Sequence, residues 1–227
     1  LLVEDGRGWT NKDRTSFYAA MSTETLLQKL ANWSPVVRER AAMELGRRNE
    51  AEIVPGLMSL LQGKSEDGRV GACQGIIFQR GRAAAAVPLL RKALRSSNLW
   101  LRIKAAEALA AIGKPAQVAV PEMLARLSKK ASRKDPRNME QRYLTFSLFS
   151  HNKGLIGKSV EGIDRKSLLK AVRASLLNQD GRARGAVSSV YRNISFDQLK
   201  PLLQAIMEAI TVRAPSGIMF AHEIRMA

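Results

Sequence analysis

The chain has 227 residues, of which 45% are apolar and only 5% aromatic, and this composition suits one elongated, helix-rich repeat domain better than a β-sandwich. A single cysteine, Cys73, excludes an intrachain disulfide, and no apolar run approaches the ~18 residues of a membrane-spanning helix. The 37 lysines and arginines against 20 acidic residues give a formal charge of +17, which favours polyanions or acidic protein surfaces as partners.

The first segment, residues 1–21, does not share the pattern of the remaining chain. Residues 5–13 are typical of turn and loop, and residues 15–21 are predicted to begin a short helix. We expect residues 1–21 to be a linker that connects to a further domain of a longer protein.

Residues 22–227 carry an internal repeat, and each unit begins with a short apolar helix. Pro55, Pro88 and Pro121 stand 33 residues apart, and the 80 residues from Pro121 to Pro201 hold two longer units. The predicted first helices of the six units are residues 25–30, 54–61, 87–94, 120–127, 167–172 and 200–206.

Each first helix is followed by a second helix that starts at a residue able to cap backbone N–H groups. The predicted caps are Ser34, Asp67, Asn98 and Asp180. Glycines that can adopt a left-handed conformation are predicted to end three of these helices, at Gly46, Gly81 and Gly113. Within the second helices, Cys73 is expected in the core, and Leu45, Phe78 and Leu109 are expected to fill the buried layer between units.

The Val-Pro-x-Leu-Leu first helix, together with a second helix in which Val37-Arg38 or Leu101-Arg102 precedes an Ala-Ala pair, resembles the HEAT-repeat family over about residues 22–227. The resemblance implies an all-α protein, an α-α superhelix of about six helix pairs with the last pair incomplete. It implies little about function, because HEAT arrays serve many roles. The fourth unit lacks the Ala-Ala pair in residues 135–142, so its boundaries are the least defined.

Arginines recur along the predicted second helices, which the resemblance places on the concave side of the superhelix. Arg38 and Arg102 are expected to pair with acids of the adjacent unit, and the other cations are expected to be free. Insertions at residues 128–135, which are dense in Lys and Arg, and at residues 150–164 are either exposed binding loops or tolerated surface slack. The predicted partner-binding residues, expected on one connected exposed face, are Arg69, Arg80, Lys129, Lys130, Arg133, Lys134, Arg137, Arg142, Arg182 and Arg184.

Two other motifs match the patterns of known sites only in part. Residues 154–159 resemble the end of a phosphate-binding loop, but Asn152 replaces the first glycine and a helix precedes the motif instead of a strand. His222-Glu223 is similar to the metal-binding pairs of HEAT-type deoxyhypusine hydroxylases, but His151 and His222 are too few for a diiron site. We therefore expect no cofactor, no metal and no enzymatic activity.

The leading hypothesis is a non-enzymatic HEAT-repeat scaffold or binding module of a larger protein, whose basic surface holds an acidic protein partner or a neighbouring domain. The alternative is a nucleic-acid-binding array. Trp33 and Trp100 occupy related positions before second helices, and HEAT-like alkylpurine DNA glycosylases use Trp with basic residues on a concave surface, so the resemblance is in fold and charge only. For Trp100, packing against the next repeat is the commoner explanation.

Overall fold

The computed structural model describes residues 11–130, 132–150, 152–178, 187 and 195–211, and every regular element within them is helical. Short 3-10 segments cover Arg80–Ala86, Lys114–Ala119 and Lys200–Leu202. The α-helices are α1 Asn11–Ala19, α2 Thr23–Lys29, α3 Pro35–Arg47, α4 Ile53–Gln62, α5 Glu66–Gln79, α6 Val87–Ala93, α7 Leu99–Ile112, α8 Val120–Leu127, α9 Met139–Phe149, α10 Arg165–Leu176, α11 Phe196–Leu199 and α12 Leu203–Thr211.

These helices form a two-layer stack. The pairs α2/α3, α4/α5, α6/α7 and α8/α9 are four complete units, while α10 and α11/α12 are the first helices of the fifth and sixth predicted units. The second helices pack in succession, α3 on α5, α5 on α7 and α7 on α9, and among the first helices α2 packs on α4, α4 on α6 and α8 on α10. The stack confirms the predicted all-α, HEAT-like fold. The predicted cap Asp180 lies outside the described residues.

Small side chains allow the second helices to approach one another closely. Ala41, Cys73 and Ala106 are fully buried where α3, α5 and α7 meet, which confirms the expectation that Cys73 belongs to the core. Leu45 and Leu109 are also fully buried, as predicted. The prediction for Phe78 is wrong, because Phe78 is half-buried and the fully buried Ile76 fills the corresponding position in α5.

The predicted helix starts hold in two of the three described cases. Ser34 precedes α3, although its side chain makes no capping hydrogen bond, and Asn98 precedes α7, where its side chain accepts a hydrogen bond from the backbone N–H of Leu101 at 3.0 Å. The prediction for Asp67 is wrong. Ser65 caps α5 by accepting a hydrogen bond from the Gly68 N–H at 3.1 Å, so α5 begins before Asp67.

The predicted helix ends are correct only at Gly113, which has a φ of +80° after α7. Gly46 lies inside α3, where a Cβ would stand 2.5 Å from the Cβ of Phe78, so this glycine serves close packing and not helix termination. After α5 the positive φ of 52° belongs to Arg80, one residue before the predicted Gly81.

Candidate partner-binding surface

Two arginines form a ladder of contacts between neighbouring units. Arg38 stands four residues after the cap of α3, and its Nη1 donates to Asp67 Oδ1 at 2.8 Å. The same Nη1 donates to the carbonyl oxygens of Asn32 and Trp33 at 2.7 and 3.0 Å. Arg38 therefore joins its own turn to the next second helix.

Arg102 repeats this arrangement four residues after the cap of α7. Its Nε and Nη2 donate to the two carboxylate oxygens of Glu140, each at 2.8 Å, and its Nη1 donates to the carbonyl oxygens of Ser96 and Ser97 at 3.0 and 2.9 Å. Only 9% of the Arg38 side chain and 10% of the Arg102 side chain is exposed. The predicted structural role of both arginines is confirmed.

Glu140 accepts from a second arginine, Arg126 of α8. Burial acts to raise the pKa of Glu140, but the hydrogen bonds from Arg102 and Arg126 outweigh it and hold the pKa below the ordinary value of a glutamate. The junction between the third and fourth units is therefore held by one carboxylate shared between two guanidinium groups. The resemblance implies an acid of the adjacent unit opposite Arg102, but the sequence alone does not single out Glu140.

Several second-helix cations that were predicted to be free are paired, so that prediction is wrong for them. Arg47 and Arg48 contact Glu44 at 3.1 and 3.5 Å, and Lys104 contacts Glu107 at 2.7 Å. These pairs join residues three or four apart on or beside one helix, where side chains are natural neighbours. The resemblance implies acid partners only in the adjacent unit, so it does not predict these pairs within one unit.

The basic loop, defined as residues 128–138 between α8 and α9, holds half of the predicted binding residues. Five of its side chains are exposed cations: Lys129, Lys130, Arg133, Lys134 and Arg137. Its one acid, Asp135, is 5% exposed and accepts hydrogen bonds from the N–H groups of Met139 and Glu140, both at 2.9 Å. The Asp135 carboxylate is therefore used to stabilise the start of α9, and it is not available at the surface to pair with the five cations.

Arg69 and Arg142 are half-buried, so the prediction that they are mostly exposed is wrong. Each stands four residues after the start cap of its helix, Ser65 for α5 and Asn138 for α9, as Arg38 and Arg102 do. At Arg38 and Arg102 this position contacts the neighbouring unit. The guanidinium carbon of Arg142 lies 5.6 Å from the centroid of the Tyr143 ring.

Arg80 is exposed but lies at another edge of the stack. The N-terminal ends of second helices meet through Arg38–Asp67 and the 2.7 Å hydrogen bond from Asn98 to Glu66, so the helices run in the same direction. Fourteen residues of α5 separate Arg80 from that edge, about 20 Å at 1.5 Å per residue. Arg80 therefore does not share a connected face with the basic loop.

Around Arg80 lies a groove of about 650 Å³, which Arg47, Arg82, Met43 and Phe78 also line. Arg82 donates to the carbonyl oxygens of Gly46 and Arg48 at 2.8 and 3.0 Å. This guanidinium thereby stabilises the C-terminal end of α3, where carbonyl groups lack helical partners.

Some predicted features lie outside the described residues, namely Arg182, Arg184, His151 and His222. Within the described ranges, no three His, Cys, Asp or Glu residues are grouped so that they could hold a metal ion. The segment that resembles a phosphate-binding loop folds against the end of α9. There the N–H groups of Leu155 and Ile156 donate to the carbonyl oxygens of Ser147 and Leu148, each at 2.9 Å, and are therefore engaged within the protein.

Comparison with known proteins bears on the same part of the chain. A search of curated protein sequences found no match. Across the described ranges, no helix combines the length and apolar character needed to span a membrane. Residues 54–138, which run from α4 through the basic loop, match the family model described as HEAT repeats. The family match therefore shows HEAT repeats over residues 54–138, and the helices before and after this range follow the same plan.

Proposed function

We propose that this chain is a non-enzymatic binding module that holds an acidic protein segment, from a partner or a neighbouring domain, against the basic loop. HEAT repeats act in general as protein-interaction scaffolds. The observation that supports the proposal is the charge of the basic loop, where five cations are exposed and the single acid, Asp135, is buried. Such an uncompensated cluster attracts anions and accelerates their association.

Exposed tryptophans support a protein partner at the same edge of the stack. Trp33, directly before the cap of α3, is 80% exposed, and Trp100, in the first turn of α7, is 50% exposed. The basic loop leads into the corresponding end of α9. Large apolar side chains beside cations suit an acidic peptide that also carries apolar groups.

Nucleic acid is the second candidate, and the same observation favours it. Bases stack on aromatic rings while lysines and arginines contact the phosphates, so single strands bind surfaces of this composition. The two candidates differ in salt dependence, because each neutralised phosphate releases a condensed counterion.

The test is a fluorescence anisotropy titration of the whole chain with three labelled probes, a poly-glutamate peptide, a single-stranded oligonucleotide and a DNA duplex, at low and physiological salt. The loop variant replaces Lys129, Lys130, Arg133 and Lys134 with alanine. A control variant replaces the exposed Lys92, Lys114, Lys166 and Lys170 with alanine, which gives the same net charge.

We expect poly-glutamate to bind the wild-type chain and the loop variant to bind it at least about tenfold more weakly, a change of ~1.4 kcal/mol. The control variant should lose much less. Equal losses in the two variants would show that only net charge matters. Tighter, steeply salt-dependent binding of either nucleic acid would favour the second candidate, and no binding of any probe at low salt would reject both.

A further inference from the structure

The arginine ladder has a repeating register that is broken at its middle junction. An arginine four residues after one second-helix cap meets an acid two residues after the next cap, as in Arg38 with Asp67 and Arg102 with Glu140. Arg69 occupies the arginine position of α5, four residues after Ser65. Two residues after the next cap, Asn98, the chain has Trp100 instead of an acid.

Arg69 consequently lacks the contacts of its two counterparts. Its side chain makes no hydrogen bond within the described residues, and its Nε is buried without a partner there. Its one ion pair there, from Nη2 to Oε1 of Glu66, spans 3.7 Å. The other carboxylate oxygen of Glu66 accepts a hydrogen bond from the Asn98 side chain at 2.7 Å, so Glu66 is already engaged with the next unit.

The turn before α5 explains why backbone carbonyls do not replace the missing acid. In the first and third units, four residues lie between the end of the first helix and the cap of the second, residues 30–33 and 94–97. Two backbone carbonyls of each turn accept hydrogen bonds from the arginine of that unit, Arg38 or Arg102. In the second unit only Gly63 and Lys64 lie between α4 and Ser65, and Gly63 is extended, with φ −66° and ψ 170°. This shorter turn supplies no carbonyl acceptor to Arg69.

By the register of the other two junctions, Trp100 takes the place of the acid opposite Arg69 and would form an apolar wall there, and both residues are accessible to solvent. The Arg69 side chain is 29% exposed, and Trp100 is 50% exposed. The Trp100 ring meets the ring of Tyr143 on α9 edge-on, with the centroids 6.5 Å apart, which fixes the wall against the next unit. A carboxylate that approached along this wall would find unused guanidinium donors.

We propose that a carboxylate from an acidic protein segment binds at Arg69 and completes the ladder, with the methylene groups of its side chain against Trp100. The two neighbouring junctions show which ligand this position takes, since each ladder arginine there binds a carboxylate, and Arg102 does so through two parallel hydrogen bonds. The inference rests on the proposed function and adds a defined anchoring position to the general attraction of the basic loop.

The test is to place the missing acid within the chain itself. Trp100→Glu supplies a carboxylate at the ladder position, and Trp100→Gln removes the ring equally without adding charge. Val36→Glu is the matched control, because Val36 is 60% exposed at the same helix position of the first unit and the change adds the same charge there. Each whole-chain variant is titrated with labelled poly-glutamate, and its melting temperature is measured.

We expect Trp100→Glu to bind poly-glutamate about tenfold more weakly than Trp100→Gln, the effect of losing one charge-assisted contact. Trp100→Glu should also melt at a higher temperature than Trp100→Gln, because its internal carboxylate engages Arg69. The control Val36→Glu should lose much less affinity for poly-glutamate relative to wild type. Equal affinities of the two Trp100 variants, an equal loss in Val36→Glu, or no gain in melting temperature would overturn the inference.

The loop variant separates the two proposals. If the loop variant binds poly-glutamate more weakly than wild type but Trp100→Glu and Trp100→Gln bind it equally, the proposed function stands and the anchoring position is wrong. If poly-glutamate binds neither the wild-type chain nor any variant, both proposals fail together.

Discussion

Removing the shared carboxylate of Glu140 is the sharpest test of how the units are held together. Glu140→Gln keeps the size of the side chain but leaves Arg102 and Arg126 without their counter-charge. Glu140 and Arg102 are only 15% and 10% exposed, so water cannot readily replace the lost partner. Truncating one partner of a fully buried pair costs ~3–5 kcal/mol. Because Arg126 is 22% exposed and Arg102 keeps its two carbonyl contacts, we expect a loss of about 2–3 kcal/mol at neutral pH.

The loss should depend on pH in a defined direction. Since the pKa of Glu140 is lower in the folded protein than in the unfolded chain, the ion pair contributes its full stability above the unfolded value, about 4.3 for a glutamate. This contribution disappears as the pH falls through the lower, folded pKa. The difference in stability between wild type and Glu140→Gln should therefore narrow in acid.

Urea denaturation followed by circular dichroism measures both effects, at neutral pH and at several acidic values. The control is Glu39→Gln, because Glu39 is exposed on α3 and its side chain makes no hydrogen bond or ion pair within the described residues. The reasoning would be refuted if the two variants unfolded at the same urea concentration at neutral pH. It would also be refuted if the difference between wild type and Glu140→Gln persisted unchanged in acid.

Three further predictions concern the core. Leu109→Ala should destabilise the chain by about 2–5 kcal/mol in thermal or urea unfolding, whereas alanine at Val118, which is 55% exposed, should have little effect; an unchanged midpoint for Leu109→Ala would place this residue outside the layer between units. Gly71→Ala would bring a Cβ to 2.0 Å from the carbonyl oxygen of Leu30 and should cost at least about 1–3 kcal/mol, while Gly81→Ala, whose nearest contact is at 3.8 Å, is the matched control and equal midpoints would contradict the close approach. Burial raises the pKa of Cys73 to about 12, so a thiol reagent should modify Cys73 only when urea unfolds the chain; labelling of the native protein at the rate of the unfolded protein would contradict this.

The repeat itself could be predicted from the sequence, because proline spacing and apolar periodicity record which faces are buried. The residue at which each helix starts, and therefore which of its side chains face the core, was harder to predict. Both Ser65 and Asp67 can cap a helix, and choosing Asp67 misses the short turn that brings α5 to its start two residues earlier. The same difficulty assigned the buried layer of α5 to Phe78 when Ile76 occupies it, since a two-residue shift turns a side chain by about 200° around the helix.

The candidate surface was predicted less completely than the fold. The basic loop was evident from its composition, and the structural role of Arg38 and Arg102 followed from the resemblance. The position of Trp100 opposite Arg69 could not be inferred, because it depends on the true caps, Ser65 and Asn98, and on the length of the turn before α5. The sequence does indicate the role of Asp135, because a lone acid in a run of cations just before a helix can accept hydrogen bonds from the first N–H groups of that helix.

Asp135 also affects the entropy of binding by the basic loop. Its carboxylate holds two N–H groups of α9, its own N–H donates to the carbonyl of Ser132 at 2.9 Å, and its carbonyl accepts from the N–H of Asn138 at 3.0 Å. Ordering a free backbone costs about 1–2 kcal/mol per residue, and a loop folded in advance has met that cost during folding. A partner therefore meets Arg133, Lys134 and Arg137 on an organised backbone and restricts mainly their side chains when it binds.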